Sequence, residues 1–381
     1  MLLYLTLRPT GPMIERRRRG FQALGIGVRH FSFQDADAAP AGSQSYYPAP
    51  IPLGRRLRLL ARGVFRLRRI LPALGSQDAI YVALLDCLVA LLIARALCRS
   101  RTPVICEIHD VHPQALRRDA IGAIVRAVQR LALSRIALLI VPSRANIDLY
   151  YGPVAGYRGA SVVVHNAVAG SELPVASPPR AFVGRWRIGW FCGLRCRRSL
   201  EIVRAAATAL GEKVEFVLAG ELAGEISAET LRDAIQDLPN VSYLGRYRPD
   251  DLAPLYGRVD LAFVLHFEPP DKSVWALATR IFEAGAHGCP SLARAGTEMG
   301  RFVTEHKIGW ALEEPCEETL VRFLERLTPE GYGEMVHAVR RQDVTLFSAD
   351  AQLAAALEMV VPIRDLRDGE GREAGRQARP T

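Results

Sequence analysis

Along the first half of the chain, short unbroken apolar runs alternate with longer stretches in which apolar residues recur every three or four positions. LLYLTL is followed by helical spacing over 13–24, then VRHFSF, then a long polar loop containing prolines. A second helical stretch, GRRLRLLARGVFRLRRIL at 54–71, precedes AIYVAL; a helix over 86–98 precedes PVICEIH, and a helix around 113–134 precedes ALLIVPS. Unbroken apolar runs predict strands buried on both faces, and their alternation with helices predicts a parallel sheet covered on both sides. The segment AVAGSELPVASPPRAFVGR, 167–185, is rich in Pro, Ala, Gly and Ser and reads as a linker. The rhythm then restarts: RIGWFCG, a helix over 199–210, VEFVLAG, 228–237, VSYLG, 250–256, DLAFVL, 275–287 and PSLAR. The expected class is α/β, with two Rossmann-like doubly wound domains, 1–168 and 187–343, joined by 169–186 and facing a cleft. A C-terminal helix over 344–363 is expected to cross back to the first domain, and a tail over 364–381 with no apolar face is expected to be disordered.

Composition supports that picture. The 381 residues suit two domains, and 49% hydrophobic against 23% charged residues is a globular balance. The net charge of +9 is unevenly spread: residues 1–170 carry 23 Arg and 9 Asp/Glu, the remainder 26 Arg/Lys and 31 Asp/Glu. A basic first half attracts anionic lipid, phosphate or nucleic acid. Seven cysteines, an odd number scattered through apolar runs, are the usage of a reducing compartment, and Cys192 and Cys196 have no partner at zinc spacing. The opening run reads as a strand rather than a signal peptide, and the apolar region 79–98 is broken by Asp86 and Arg95, so no membrane span and a cytoplasmic location are expected. Within 54–71, Leu57, Leu60, Val64, Leu67 and Leu71 recur at helical spacing among arginines. Such a helix either rests on an anionic membrane or packs on the core with its arginines solvated. No recognition motif points to nucleic acid.

Three segments of the second half carry candidate chemistry, whereas GIGVRH lacks the third glycine of a dinucleotide fingerprint and neither a P-loop nor HExxH occurs. In GLRCRRSLEIV, Arg195, Arg197 and Arg198 stand at a strand end and a helix start, where amides and guanidinium forks suit a diphosphate; the plain alternative is a solvated cluster. Arg246 and Tyr247, after VSYLG, are placed to line a nucleotide base. In ATRIFEAGAHGCP the helical pattern buries Glu283, and an ionised carboxylate at such depth needs partners, for which the vicinal hydroxyls of a ribose serve. The alternatives are a salt bridge with Arg280 or a surface position. If the helix begins near Trp275, Glu283 lies two turns along it. His109 and His112 lack a third metal ligand, and Asp110 is placed to cap the following helix.

In this order and spacing the segments resemble the retaining glycosyltransferases of family 4, which have two Rossmann-like domains (the GT-B fold); the likeness is strongest over 187–313. The run Arg280-Ile-Phe-Glu283-Ala-Gly-Ala-His-Gly288-Cys-Pro290 matches that family's nucleotide-sugar signature. The resemblance implies that Glu283 binds ribose hydroxyls, that Thr279 and Arg280 lie near the phosphates, and that Arg195 and Arg198, in a loop starting at Gly193, neutralise the leaving diphosphate. It implies that His109, in CEIHDVHP, approaches the donor sugar, and that Gly11 and Pro12 lie on the acceptor side. Trp275 stands where the family has its first glutamate, a donor-sugar contact. The implied activity is transfer from a nucleoside diphosphate sugar to a glycan or polyprenyl-linked acceptor, with retention and no metal, in exopolysaccharide or lipopolysaccharide assembly at the inner face of the membrane. Trp275 and the compressed arginine loop leave a non-catalytic, glycosyltransferase-like scaffold as the alternative.

Overall fold

The apolar runs of the first half become six parallel strands in a computed structural model that describes residues 1–34, 51–75, 77–170, 173–174, 182–267 and 274–367. The Pro-containing loop at 35–50, residues 171–172 and 175–181 of the expected linker and the tail beyond 367 lie outside the described residues. The chain divides into two units: Met1–His165 with Ala169–Ser171 and Ala349–Thr381, and Asn166–Val168 with Glu172–Ser348.

In the first unit the strands are β1 (Leu2–Thr6), β2 (Val28–Ser32), β3 (Ala79–Ala83), β4 (Val104–Glu107), β5 (Leu138–Val141) and β6 (Ser161–Val163), ordered β2-β1-β3-β4-β5-β6. Every residue of β1, β3, β4 and β5 is buried, as runs without alternation require. The helices are α1 (Pro12–Ala23), α2 (Leu53–Ile70), α3 (Leu85–Cys98) and α4 (Ala120–Leu133), with α2 beside α3 and α3 beside α4. Val64, Leu67 and Leu71 of the basic amphipathic stretch are buried, while Leu57 is exposed. The helix Asp350–Glu358 belongs to this unit: Leu353 lies against α1 at Gly20, and the His165 amide donates to Gln352 Oε1 at 2.7 Å.

The single helix expected around 113–134 is broken. His112 Nδ1 accepts from the Gln114 amide at 3.3 Å and caps a 3₁₀ turn over Pro113–Leu116; Arg117 is extended, and Asp119 then caps α4 by accepting from the Gly122 amide at 3.0 Å. The caps are therefore His112 and Asp119 in place of Asp110, whose Oδ1 accepts from the adjacent Val111 amide.

The second unit repeats the plan with β7 (Trp186–Phe191), β8 (Val214–Ala219), β9 (Val241–Tyr243), β10 (Leu261–Phe263), β11 (Ser291–Arg294) and β12 (Gly309–Leu312), ordered β12-β11-β10-β7-β8-β9. The strand β12 was not expected from the sequence pattern. Trp190, Phe216, Phe263 and Leu292 fill the core beneath α5 (Arg197–Leu210), and α6 (Ala228–Ile235) and α7 (Leu252–Tyr256) follow. The helix expected over 275–287 starts instead at Thr279 and ends at Ala286; Ala278 before it is extended, and Trp275 lies in a turn. Both sheets have a point where successive strands begin to be added on the opposite side. It falls between β1 and β3 in the first unit and between β7 and β10 in the second, and at such points the C-terminal ends of parallel strands open a crevice for ligands.

Candidate functional site

In the second unit the reversal point is fastened at both ends of its strands. At the N-terminal ends, Asp260, 1% exposed, accepts from the Arg187 amide (2.9 Å), Nε (3.0 Å) and Nη2 (2.8 Å). At the C-terminal ends, the buried Arg280 donates from Nη2 to the carbonyls of Val264 and Leu265, both at 3.1 Å, and from Nη1 to Cys192 Sγ at 2.7 Å. One guanidinium thus ties the loop after β7 to the loop after β10, the two segments that border the crevice. Glu283 follows on the same helix, buried at 6% exposure and four residues beyond Thr279, so about 6 Å along the axis. It stands one turn from the helix start, not two, and it is not a surface residue.

The loop after β7 is seated on the loop after β8. The Leu194 amide donates to the Glu221 carbonyl at 2.8 Å, the Ala223 amide to the Leu194 carbonyl at 3.0 Å and the Glu225 amide to the Arg195 carbonyl at 3.3 Å. Gly220 makes this approach feasible: at φ 140°, a Cβ there would lie 1.6 Å from the Cys192 carbonyl oxygen. Its amide donates to the Gly245 carbonyl at 2.8 Å and its carbonyl accepts from the Tyr243 hydroxyl at 2.7 Å, so the loops after β7, β8 and β9 meet at this residue. Gly220 was missed by sequence reasoning, although a glycine closing an apolar run is a signal for close backbone approach.

Gly193 and Arg195 lie in that seated loop, both half-buried, so the backbone beneath the Arg195 side chain is fixed. Two leading amides of α5 are already engaged: Ser199 by Cys196 Sγ and Arg197 by Glu225 Oε2, each at 3.4 Å. Arg198 pairs with Glu314 at 2.6 Å and Glu317 at 3.7 Å, and its guanidinium stacks over the Phe267 ring at 4.6 Å, with Arg294 over the same ring at 4.9 Å. Arg246 pairs with Glu221 at 2.9 Å and is exposed, with Tyr247 half-buried beside it. Thr279 opens its helix, and Trp275, half-buried, adjoins Val274, whose carbonyl accepts from the Glu298 amide at 2.7 Å.

In the first unit, Gly11 caps α1 at φ 157° and ψ 155°, a conformation open to glycine, and Pro12 fills the first helical position, where its missing N–H has no intrahelical partner to lose. His109 follows β4 by two residues, its Nδ1 3.6 Å from Glu107 Oε1. Burial pushes the imidazole below its ordinary pKa, against the pull of Glu107, which raises it. Glu107 itself is a buried carboxylate paired with Arg17. Sequence reasoning gave neither residue a role.

A cavity of about 590 Å³ in the second unit, lined by Tyr256, His287, Cys289, Tyr332 and Arg340, borders the N-terminal ends of β10 and β11 and contains none of the candidate residues. Among the described residues no group of three or more His, Cys, Asp or Glu side chains is placed to hold a metal ion.

Two Rossmann-like units, each a parallel six-stranded sheet with a reversal point whose C-terminal strand ends open a crevice, are the architecture of the GT-B class of nucleotide-sugar-dependent glycosyltransferases. The chain matches the model of a glycosyl transferase 4-like domain over residues 10–167. It is 30% identical over 358 residues to the succinoglycan biosynthesis protein ExoL of Rhizobium meliloti (strain 1021), covering 89% of this chain and 88% of that one. Among solved structures it is similar in fold to Anabaena Alr3699/HepE in complex with UDP and glucose (TM-score 0.63, 16% identity, 98% and 99% covered). A glycosyltransferase from Rickettsia africae ESF-5 is likewise similar (TM-score 0.68, 13% identity, 96% and 98% covered). The chain belongs to the glycosyl transferase 4-like family.

Proposed function

We propose that the protein transfers a sugar from a nucleoside diphosphate sugar to a glycan or polyprenyl-linked acceptor, with retention, in polysaccharide assembly. The observation that carries this reading is the reversal point of the second sheet, where Arg280 fastens the bordering loops and Glu283 is buried one turn behind. In this reading the Glu283 carboxylate accepts hydrogen bonds from the ribose hydroxyls. Arg195, on its fixed loop, stabilises the charge that grows on the diphosphate as the glycosidic bond breaks, which is transition-state electrostatics rather than proton transfer. Arg198 joins it only by giving up Glu314. Thr279 meets the phosphates, Arg246 and Tyr247 border the base, and Gly193 and Trp275 line the donor side. Gly11, Pro12 and His109 serve acceptor and sugar. Guanidinium groups carry the charge without a metal; activity abolished by EDTA and restored by Mg²⁺ would refute that part.

The succinoglycan biosynthesis name of the Rhizobium relative supports polysaccharide as the product class, and the UDP and glucose of the Anabaena structure make UDP-sugars the first donors to screen. The test is thermal shift with UDP-, GDP- and ADP-sugars, then mass analysis of products on lipid-linked acceptors. Full transfer by Arg195→Ala and Glu283→Ala with the correct donor would sink the site assignment.

The outer face of the first unit supports work at the inner face of the cell membrane. On α2, Leu53, Leu57 and Phe65 are exposed among arginines; Ile93 and Leu97 of α3 and Ile121, Ile124, Val128 and Leu131 of α4 are exposed beside them. Residues 51–136 hold 15 Arg and 5 Asp/Glu. Apolar side chains at the surface among so many cations suit an anionic bilayer. No helix among the described residues is long and apolar enough to cross a membrane.

The pairing of Arg198 with Glu314 and Glu317, together with Trp275, favours a second reading, a non-catalytic scaffold in polysaccharide assembly. Nucleoside diphosphate binding without turnover across all donors and acceptors would support it over transfer.

A further inference from the structure

Glu107 closes the apolar strand β4, and its side chain is 2% exposed. Arg17 of α1, 4% exposed, holds it with both edges of its fork, Nη2 on Oε1 and Nε on Oε2, the latter at 3.1 Å. The Tyr81 hydroxyl donates to Oε2 at 2.7 Å. Burial alone would raise the pKa of this carboxyl, but Arg17, His109 and the hydrogen bonds from Arg17 and Tyr81 outweigh burial and keep it ionised. On its open side Oε1 faces His109 Nδ1 at 3.6 Å. That nitrogen is shielded from solvent and has no hydrogen-bond partner among the described residues, while the side chain as a whole keeps 21% of its surface exposed.

We propose that the buried Arg17–Glu107 pair is the positioning device of His109: the carboxylate holds the ring as its Nδ1–H tautomer, leaving the Nε2 lone pair to accept a hydrogen bond from a sugar hydroxyl. A lone pair on Nδ1 would oppose an anionic oxygen across a dry gap, whereas a proton there points at it, and the partner of one ring nitrogen decides the role of the other. The other charged groups near the ring are Arg17 and Asp110, and Tyr4 and Tyr81 beside the pair are phenols that burial keeps protonated. Stability alone is a poor reason for such a pair, because apolar replacements of similar volume are often neutral or stabilising. The helix that supplies Arg17 starts at Pro12, so the same contact anchors the loop holding Gly11 and Pro12 to the strand end that bears His109.

The inference rests on the reading that His109 meets a sugar, and the test separates the two. In full-length protein labelled with ¹⁵N-histidine, the His109 signals are identified by their loss in His109→Gln, and two-bond ¹H–¹⁵N correlations report the tautomer without substrate. Nδ1–H is expected. The double variant Arg17→Met/Glu107→Leu leaves neither member of the pair as a lone buried charge; it is expected to move His109 toward the Nε2–H form favoured in water and to lower kcat about tenfold with the nucleotide KM unchanged. Nε2–H in the unaltered protein overturns the proposal whether or not any variant folds, and so does an unchanged tautomer in the folded double variant. Nδ1–H together with full activity of His109→Gln would remove His109 from the sugar site, a failure of the earlier reading that leaves the positioning of the ring supported.

Discussion

Replacing Arg280 with Met separates two roles for the same residue. As a phosphate ligand, Arg280 would matter only when a nucleotide is bound; as the clasp between the loops after β7 and β10, it matters in the free protein. Its guanidinium donates to Val264 O and Leu265 O at 3.1 Å and to Cys192 Sγ at 2.7 Å. Leu265 O keeps the Ser199 hydroxyl at 3.4 Å, so the main casualty is Val264 O, together with the lost contact to Cys192. A buried carbonyl deprived of a charged donor costs about 1–3 kcal/mol, and the remaining contacts bring the expected loss to about 2–4 kcal/mol. For a unit of this size that lowers the melting temperature of the free protein by about 5–12 °C. Arg280→Lys, able to reach one acceptor at a time, should fall between. The assay is melting of the apo protein alongside calorimetric titration of UDP. Apo melting unchanged in Arg280→Met, with nucleotide affinity alone reduced, would refute the clasp and restore Arg280 to the phosphates.

Other expectations follow from the same contacts. Glu283→Gln should reduce the preference for UDP over its 2′-deoxy analogue by about ten- to a hundredfold in calorimetric Kd, the worth of a hydrogen bond to a charged group; an unchanged ratio would place the ribose elsewhere. Gly220→Ala puts a Cβ 1.6 Å from the Cys192 carbonyl oxygen, so soluble expression and the melting temperature should collapse, and a native-like melt would show that the loops can part. Neutralising Arg58, Arg62 and Arg66 to Gln should weaken sedimentation with anionic vesicles about a hundredfold at low salt, near 1 kcal/mol per residue, and leave neutral vesicles unaffected; equal loss on both would argue against a basic membrane face. The folded Glu107 carboxyl titrates below its ordinary value of 4.5, so the unfolded chain takes up its proton first and the stabilisation is lost as pH falls from there through the folded pKa. Acid melts of Arg17→Met/Glu107→Leu should accordingly fall less steeply below pH 4.5 than those of the unaltered protein.

The strand-and-helix rhythm was legible because the strands of a sheet covered on both faces are apolar throughout, and this needs no knowledge of partners. Helix starts were less legible. The apolar spacing of Trp275 and Leu277 continues that of the helix behind them, yet the Val274 carbonyl accepts from the Glu298 amide, Trp275 lies in a turn and Ala278 is extended, so the helix begins only at Thr279. At 117–119 the break was readable in principle, since an Asp ahead of an apolar run is a helix cap, but the periodicity on either side hid it. The strand β12 lies in KIGWAL, too short a run to assert itself against the neighbouring helices.

Among the candidate residues, the carboxylate that the pattern would bury was the most informative local sign, and it occurs twice. Glu283 drew attention because its surroundings match a known signature; Glu107, in VICE, breaks an apolar strand just as plainly. Its partner lies 90 residues away in ERRRRG, where four arginines are indistinguishable by sequence and Arg17 is the one that is buried. Arg198 shows the converse. Its position near a strand end reads as anion binding, but in the fold it meets Glu314, 116 residues downstream, and Phe267. In a chain with this many arginines, sequence position nominates a cation, and long-range partners decide whether its charge is available. Arg280 and Arg198 are already engaged by protein groups, Arg17 is committed to Glu107, and the seated loop of Arg195 owes its geometry to a glycine one strand away. The chemistry of the site therefore depends on backbone approaches, at Gly220 and at the carbonyls of β10, as much as on the charged side chains that first mark it.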